Sequence, residues 1–248
     1  MEFIDNGIVL RIGKFRETDL WVRLLTHNHG IVTAFAFGGS RSRRRFSGCL
    51  DSYNYITARI ASSKNGQFIN LQETTLLEQF QTLRTNFKRQ GMAANCIRFV
   101  EALGVTPDDS EKIFLLTKSM LRLLNDAETV MAMLPILFRL RIVAEQGYLL
   151  DPKCCARCGK ELEGNSVFLV SEGYFTCASC KPSGTMGLLA SRQTRDILDN
   201  IQEYSPEYWA LENVDSGIFR ELGRIIDAHI LYHVGLEWND GSFRHGFA

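Results

Sequence analysis

Four cysteines carry the most specific chemistry in the sequence. Cys155-Ala156-Arg157-Cys158-Gly159 precedes Cys177-Ala178-Ser179-Cys180, with 18 residues between Cys158 and Cys177. Two Cys-x-x-Cys knuckles at this separation place four thiolates where one zinc ion can take them tetrahedrally. Cys155, Cys158, Cys177 and Cys180 would fill the coordination shell and leave no open position for an activated water, so the expected site is one structural zinc per chain. Cys154 adjoins the first knuckle and could substitute for Cys155, but only Cys155 gives the two-residue spacing. No histidine starts the His-x-Glu element of a zinc deaminase. His229 and His233 stand four apart, yet Ile230 follows His229 where a zincin requires Glu.

The second feature is Gly38-Gly39-Ser40-Arg41-Ser42-Arg43-Arg44-Arg45-Phe46-Ser47, with four arginines in five positions beside flexible glycine and serine. Such a loop can follow a phosphate backbone while nearby aromatics offer faces to bases, which gives sequence-tolerant affinity for single strands. Arg84, Lys88 and Arg89 lie further on, and a continuous helix would set Arg84 and Lys88 on one face and extend the basic track. Candidate DNA-binding residues are therefore Arg41, Arg43, Arg44, Arg45, Arg84, Lys88 and Arg89.

Length and charge are consistent with that partner. The 248 residues are 45% hydrophobic and 23% charged, which fits one large or several small globular domains and excludes disorder. Zero formal net charge hides an asymmetry: the first 150 residues carry +5 and the last 64 carry −5. An anionic partner for the front of the chain is the expectation. No apolar run approaches the 18 residues of a membrane span, and the N-terminus lacks a basic region ahead of an apolar one, so a cytoplasmic protein with reduced thiols is expected. Gly-x4-Gly-Lys-[Ser/Thr], Gly-x-Gly-x-x-Gly and Gly-x-Ser-x-Gly are absent. Nucleotide hydrolysis, dinucleotide redox chemistry and serine hydrolysis thus lack their usual supports, and no enzyme activity is expected.

The elements that must position these residues follow from periodicity. Alternating segments near 6–12, 19–27, 30–37, 50–61 and 66–74 read as five strands, with Lys64-Asn65-Gly66 a hairpin signal. Five short strands suit a small closed barrel of the OB or SH3-like kind, with the arginine run between the third and fourth. From about residue 77 the period becomes helical, and Gly104 and Pro107 read as a stop. Asp109 or Ser110 is expected to cap the next helix, and Pro135 must kink or begin the one over 129–146. Residues 151–184 lose periodicity and hold the knuckles, and helices near 190–203 and 215–236 follow.

Gly7-Ile8-Val9-Leu10, the segment Thr18-Asp19 to Leu24-Leu25-Thr26, the turn at Gly30, and Phe37-Gly38-Gly39 running into arginines and Ser47 resemble the start of the RecO family of bacterial recombination mediators. Phe138-Arg139-Leu140-Arg141-Ile142 to Gly147-Tyr148, followed by Pro152 and the knuckles, is similar to its middle. The resemblance implies an α+β multidomain chain with a five-stranded OB-fold barrel over 1–78 and an α-helical bundle over 79–150 and 185–240. A four-cysteine zinc insert over 151–184 and a tail over 241–248 complete it. The resemblance also implies binding of single- and double-stranded DNA, annealing of complementary strands, and loading of RecA onto DNA coated by single-stranded-DNA-binding protein. RecR, and in some cases RecF, would be partners, at the nucleoid. Capture of that coating protein's acidic, aromatic-ended tail is expected on the helical domain, and Arg139 and Arg141 beside Phe138 and Ile142 are the candidate residues. A zinc-ribbon adaptor that docks proteins without touching DNA is the competing reading.

Overall fold

The computed structural model describes residues 2–63, 66–209 and 214–246. The expected hairpin turn at Lys64-Asn65 lies outside them. The chain divides into two compact units, Met1–Glu128 and Thr129–Ala248. The helical stretch expected over 79–150 is therefore shared between the two.

In the first unit, β1 (Glu2–Lys14), β2 (Leu20–Thr26), β3 (Ile31–Ala36), β4 (Tyr55–Ser62) and β5 (Ile69–Glu78) form a barrel in the order β1-β2-β3-β5-β4. β1 also pairs with β4, Gly7 opposite Ile56, and β3 meets β5 in parallel at Phe35 and Asn70. Alternation decides what fills it: Val32, Ala34 and Ala36 of β3 point inward with Val9, Val22, Leu24, Ile56, Ile60 and Leu71, leaving Thr33 and Phe35 outside. β4 starts at Tyr55 rather than near 50, because Asn54 holds a turn by donating its Nδ2 to the Gly48 and Cys49 carbonyls.

The helical segment after the barrel is broken. α1 (Gln81–Thr85) ends at Asn86, whose side chain accepts from Arg89 N–H and so caps α2 (Phe87–Leu103). α3 (Pro107–Asp126) begins at the proline read as a stop, since Pro at the first helical position lacks only an N–H that would go unused there. Neither expected cap serves: Asp109 lies inside the first turn of α3, and Ser110 is buried, its Oγ donating to the Thr26 carbonyl at 2.6 Å and accepting from Gly30 N–H at 2.9 Å. These two bonds fasten α3 to the β2–β3 turn.

The second unit holds α4 (Leu134–Glu145), α5 (Arg192–Glu203) and α6 (Ser216–Val234), with Pro135 in the first turn of α4. Leu137, Phe138 and Ile142 of α4, Leu198 and Ile201 of α5, and Leu222 and Ile225 of α6 are all fully buried where the three helices pack. β6 (Ser166–Leu169), β7 (Tyr174–Thr176) and β8 (Leu188–Ala190) form a small sheet in the order β7-β6-β8. Of the tail expected over 241–248, Ser242–His245 instead forms β10, which pairs with β9 (Leu236–Asn239); residues 247 and 248 lie outside the described residues. Asp240 and Gly241 both take positive φ, 46° and 77°, which is what a tight two-residue hairpin turn requires. Among the described residues no helix is long and apolar enough to cross a membrane.

Candidate metal centre and nucleic-acid interface

The β6-β7-β8 sheet supports the cysteine knuckles. In the first, Cys155 N–H donates to the Lys160 carbonyl and Gly159 N–H to the Cys155 carbonyl, each at 2.8 Å, with Gly159 at φ 70° closing the turn. Ala156 N–H donates to Phe175 of β7 at 3.0 Å. The second knuckle is a single turn in which Cys180 N–H donates to the Cys177 carbonyl at 3.1 Å. The sulfurs of Cys155, Cys158, Cys177 and Cys180 lie within 4.8 Å of one another. Tetrahedral zinc–thiolate bonds of about 2.3 Å set sulfurs about 3.8 Å apart, so a small contraction fits the group to an ion. Cys154 instead forms a backbone bridge to Glu161, and Cys155 is the one that joins the four.

The thiols are joined by hydrogen bonds that shift them unequally. Burial pushes Cys155 up, but N–H bonds from Cys177, Cys158 and Arg157 outweigh it and bring the thiol down to about 6. Ser179 and Cys180 lower Cys177 by hydrogen bonds, while Cys180, donating to Cys177 and Cys158, is pushed up to about 12. A divalent cation in place of the shared protons satisfies every sulfur at once. These four cysteines can hold a metal ion.

Arg195 of α5, which no spacing rule singles out, secures this insert. The residue is 3% exposed, and its guanidinium donates to the carbonyls of Pro152 at 2.8 Å, Leu162 at 2.5 Å and Gly164 at 2.7 Å. A planar fork with five donors suits three carbonyls that no strand ladder reaches.

The arginine loop is anchored at both ends. Gly38 N–H donates to Asp19 Oδ1 at 2.8 Å, and Phe46 inserts into the barrel core at 3% exposed. Arg41, Arg43 and Arg44 point to solvent, whereas Arg45 packs over the Phe46 ring and donates Nη2 to the Phe37 carbonyl at 2.6 Å. Arg43 and Arg84 line one hollow of about 370 Å³ with Ser40, Ser42 and Gly48. Arg84 is paired there, Nη1 to Asp51 at 2.7 Å and Nη2 to Asn54 at 2.9 Å. Lys88 is exposed on α2, past the break at Asn86, so the shared helical face expected for Arg84 and Lys88 does not form.

Arg89 is not on this surface at all. It is 8% exposed and donates to four carbonyls at the end of α3, Leu124, Asn125, Ala127 and Glu128, at 2.6–3.3 Å. Leu124 and Asn125 are among the C-terminal carbonyls that a helix leaves without internal partners, and Ala127 and Glu128 follow directly after it.

Family models match along the chain, one described as recombination protein O N terminal over residues 1–80 and one as recombination protein O C terminal over 84–240. A protein named DNA repair protein RecO from Oleidesulfovibrio alaskensis is 44% identical over 246 residues, covering 98% of this chain and 99% of that one. Proteins of the same name from Nitratidesulfovibrio vulgaris and Lawsonia intracellularis are 43% and 42% identical, with the same coverage of both chains. The chain belongs to the RecO family. RecO relatives thus match it end to end, and DNA repair is the function class that their name carries.

Within this RecO-family chain the expected tail receptor does not assemble. Arg139 and Arg141 are two apart on α4, a spacing at which side chains do not face each other. Arg139 Nη1 pairs with Asp227 at 2.9 Å, and its guanidinium lies over the Phe243 ring, while Arg141 pairs with Glu145 one turn on. Phe138 and Ile142 are completely buried and offer no surface to an incoming ring.

Proposed function

We propose that this protein is a non-enzymatic recombination mediator that binds single- and double-stranded DNA through the arginine loop of its barrel. In this reading it anneals complementary strands and helps load RecA onto DNA coated by single-stranded-DNA-binding protein, working with RecR and, in some pathways, RecF at the nucleoid. The observation that carries the reading is the loop itself: Arg41, Arg43 and Arg44 project from a segment fixed at Asp19 and Phe46, in a family of DNA repair proteins. Fixed ends hold the charges in place while Gly and Ser between them let the guanidiniums track a phosphate chain. The strand order β1-β2-β3-β5-β4, with β1 returning to β4 and β3 parallel to β5, supports reading the barrel as an OB fold, a frequent oligonucleotide binder.

Zinc is the metal that four thiolates suit best, and Cys155, Cys158, Cys177 and Cys180 would hold it. Bound there it would stabilise the insert, its coordination complete. A titration of fluorescent single-stranded and duplex oligonucleotides at two salt concentrations tests the function. Binding that weakens steeply with salt is expected. Absence of DNA binding by folded, zinc-loaded protein would sink the reading in favour of a protein-docking adaptor.

A further inference from the structure

The outward face of the barrel carries aromatic rings where a soluble protein ordinarily places polar side chains. Phe35, pointing out from β3, is flanked by Phe15 at 4.6 Å, Phe68 at 5.5 Å and Phe37 at 6.4 Å between ring centroids. Phe15 follows β1, Phe37 follows β3 and Phe68 precedes β5, so the chain turns of three strands converge on one ring. Trp21 of β2 stands opposite Phe35 in the ladder, and its indole comes within 2.3 Å of where a Cβ on Gly13 would sit, so only glycine there lets it lie across β1. Phe15, Phe37 and Phe68 remain 42%, 39% and 44% exposed. A contiguous exposed aromatic patch is a binding surface by default, since leaving it in water opposes folding and solubility.

The surroundings say what covers it. Arg45 donates to the Phe37 carbonyl at 2.6 Å, which makes the arginine loop and the aromatic face adjoining parts of one surface. Arg16 lies over the Phe15 ring at 5.2 Å, and Lys14 is exposed beside it; the same turn holds the acidic Glu17 and Asp19, the latter accepting from Gly38 N–H. Cations beside several flat, separately tilted rings complement a chain that alternates phosphate and base. Duplex DNA keeps its base faces stacked on one another and cannot use the rings. We propose that Phe15, Phe37 and Phe68, set around Phe35, form a stacking platform for the unpaired bases of single-stranded DNA leaving the arginine loop. The platform deepens the DNA-binding reading above and rests on it: arginines supply affinity for any phosphate backbone, and the rings supply preference for single strands.

The test compares the parent with Phe15→Ala/Phe37→Ala/Phe68→Ala on oligothymidylate and on a duplex of equal length. The expected result is at least a tenfold loss of single-strand affinity, with duplex affinity within about twofold and the salt slope unchanged, because stacking releases no counterions. Unchanged single-strand affinity, or an equal loss on both substrates, overturns the platform. Should the triple variant fold poorly, ultraviolet crosslinking of oligothymidylate to the parent decides it. Adducts on peptides holding Phe15, Phe37 or Phe68 are expected, and adducts confined to other peptides overturn it. A parent that binds no DNA sinks the functional reading itself, whereas an arginine-dependent parent with an indifferent phenylalanine variant sinks the platform alone.

Discussion

The Cys177 backbone N–H donates to the Cys155 sulfur at 3.4 Å, so the second knuckle is hydrogen-bonded to the buried ligand of the first. The two halves of the metal centre are thereby coupled before any ion binds. Cys155 is 1% exposed whereas Cys158 is exposed, and that difference makes Cys155 both a ligand and part of the insert's packing.

Cys155→Ser is therefore expected to lose metal and soluble yield together, since the apparent binding free energy of a structural zinc, ~10 kcal/mol or more, is folding free energy. Elemental analysis of protein purified without added metal should give one zinc per chain in the parent and well under one in the variant. A parent with little zinc, melting at the same temperature with and without chelator, would reject a structural metal.

Changing Arg41, Arg43 and Arg44 to Ala should weaken DNA binding about equally for all sequences, because phosphate contacts carry affinity and not base identity. Each lost contact should flatten the slope of log affinity against log salt by ~0.7 on single strands. Arg45 is left in place, as its bond to the Phe37 carbonyl supports the loop. Anisotropy titrations across a salt series measure both quantities, and a slope and affinity matching the parent would move the site elsewhere.

Arg89→Ala separates a structural arginine from a DNA contact. Removing the guanidinium leaves the Leu124, Asn125, Ala127 and Glu128 carbonyls without their donor, a loss of ~2–4 kcal/mol for charge-assisted bonds at a mostly buried site. Urea melts should show this destabilisation while the folded fraction binds DNA with the parent's affinity. Normal stability with weakened DNA binding would return Arg89 to the interface.

The legible parts of this chain were those where local sequence and final structure obey one rule. Cys-x-x-Cys spacing is a local constraint, and its four sulfurs do converge. Alternation over 31–36 places Val32, Ala34 and Ala36 on one face, and the barrel interior takes that face. What misled was residue type without tertiary partner. Arg89 has the charge of a DNA contact, but carbonyls some 35 residues away claim it, and Asn86 looks like an ordinary polar residue until it caps α2. Pro107 punctuates a helix at either end, and only the following residues decide which. Asp240-Gly241 was a readable signal, since that dipeptide favours the positive φ pair of a hairpin turn and strands flank it closely.

His229 gives the second unit a dependence on acid. The residue is 3% exposed; Nε2 lies 3.1 Å from the Tyr148 carbonyl, which can only accept, so Nε2 carries the proton. Nδ1 is buried without a partner, and a second proton there would have nowhere to donate. Burial foremost, together with neighbouring His233, lowers the imidazole from 6.5 to about 4, against the opposing pull of the Tyr148 carbonyl. Above pH 6.5 the ring is neutral in folded and unfolded chains alike, and the native state loses nothing. Between 6.5 and 4 the unfolded chain takes up a proton that the folded one refuses, so stability should fall by about 1.4 kcal/mol per pH unit, ~3 kcal/mol in all. His229→Gln retains an N–H for the Tyr148 carbonyl but does not titrate. Acid weakening of the cysteine centre affects parent and variant equally and cancels in their difference. Urea melts at about pH 7, 5.5 and 4.5 should therefore show the parent losing ground to His229→Gln at each step down, and parallel stability curves for the two proteins would refute a buried neutral histidine.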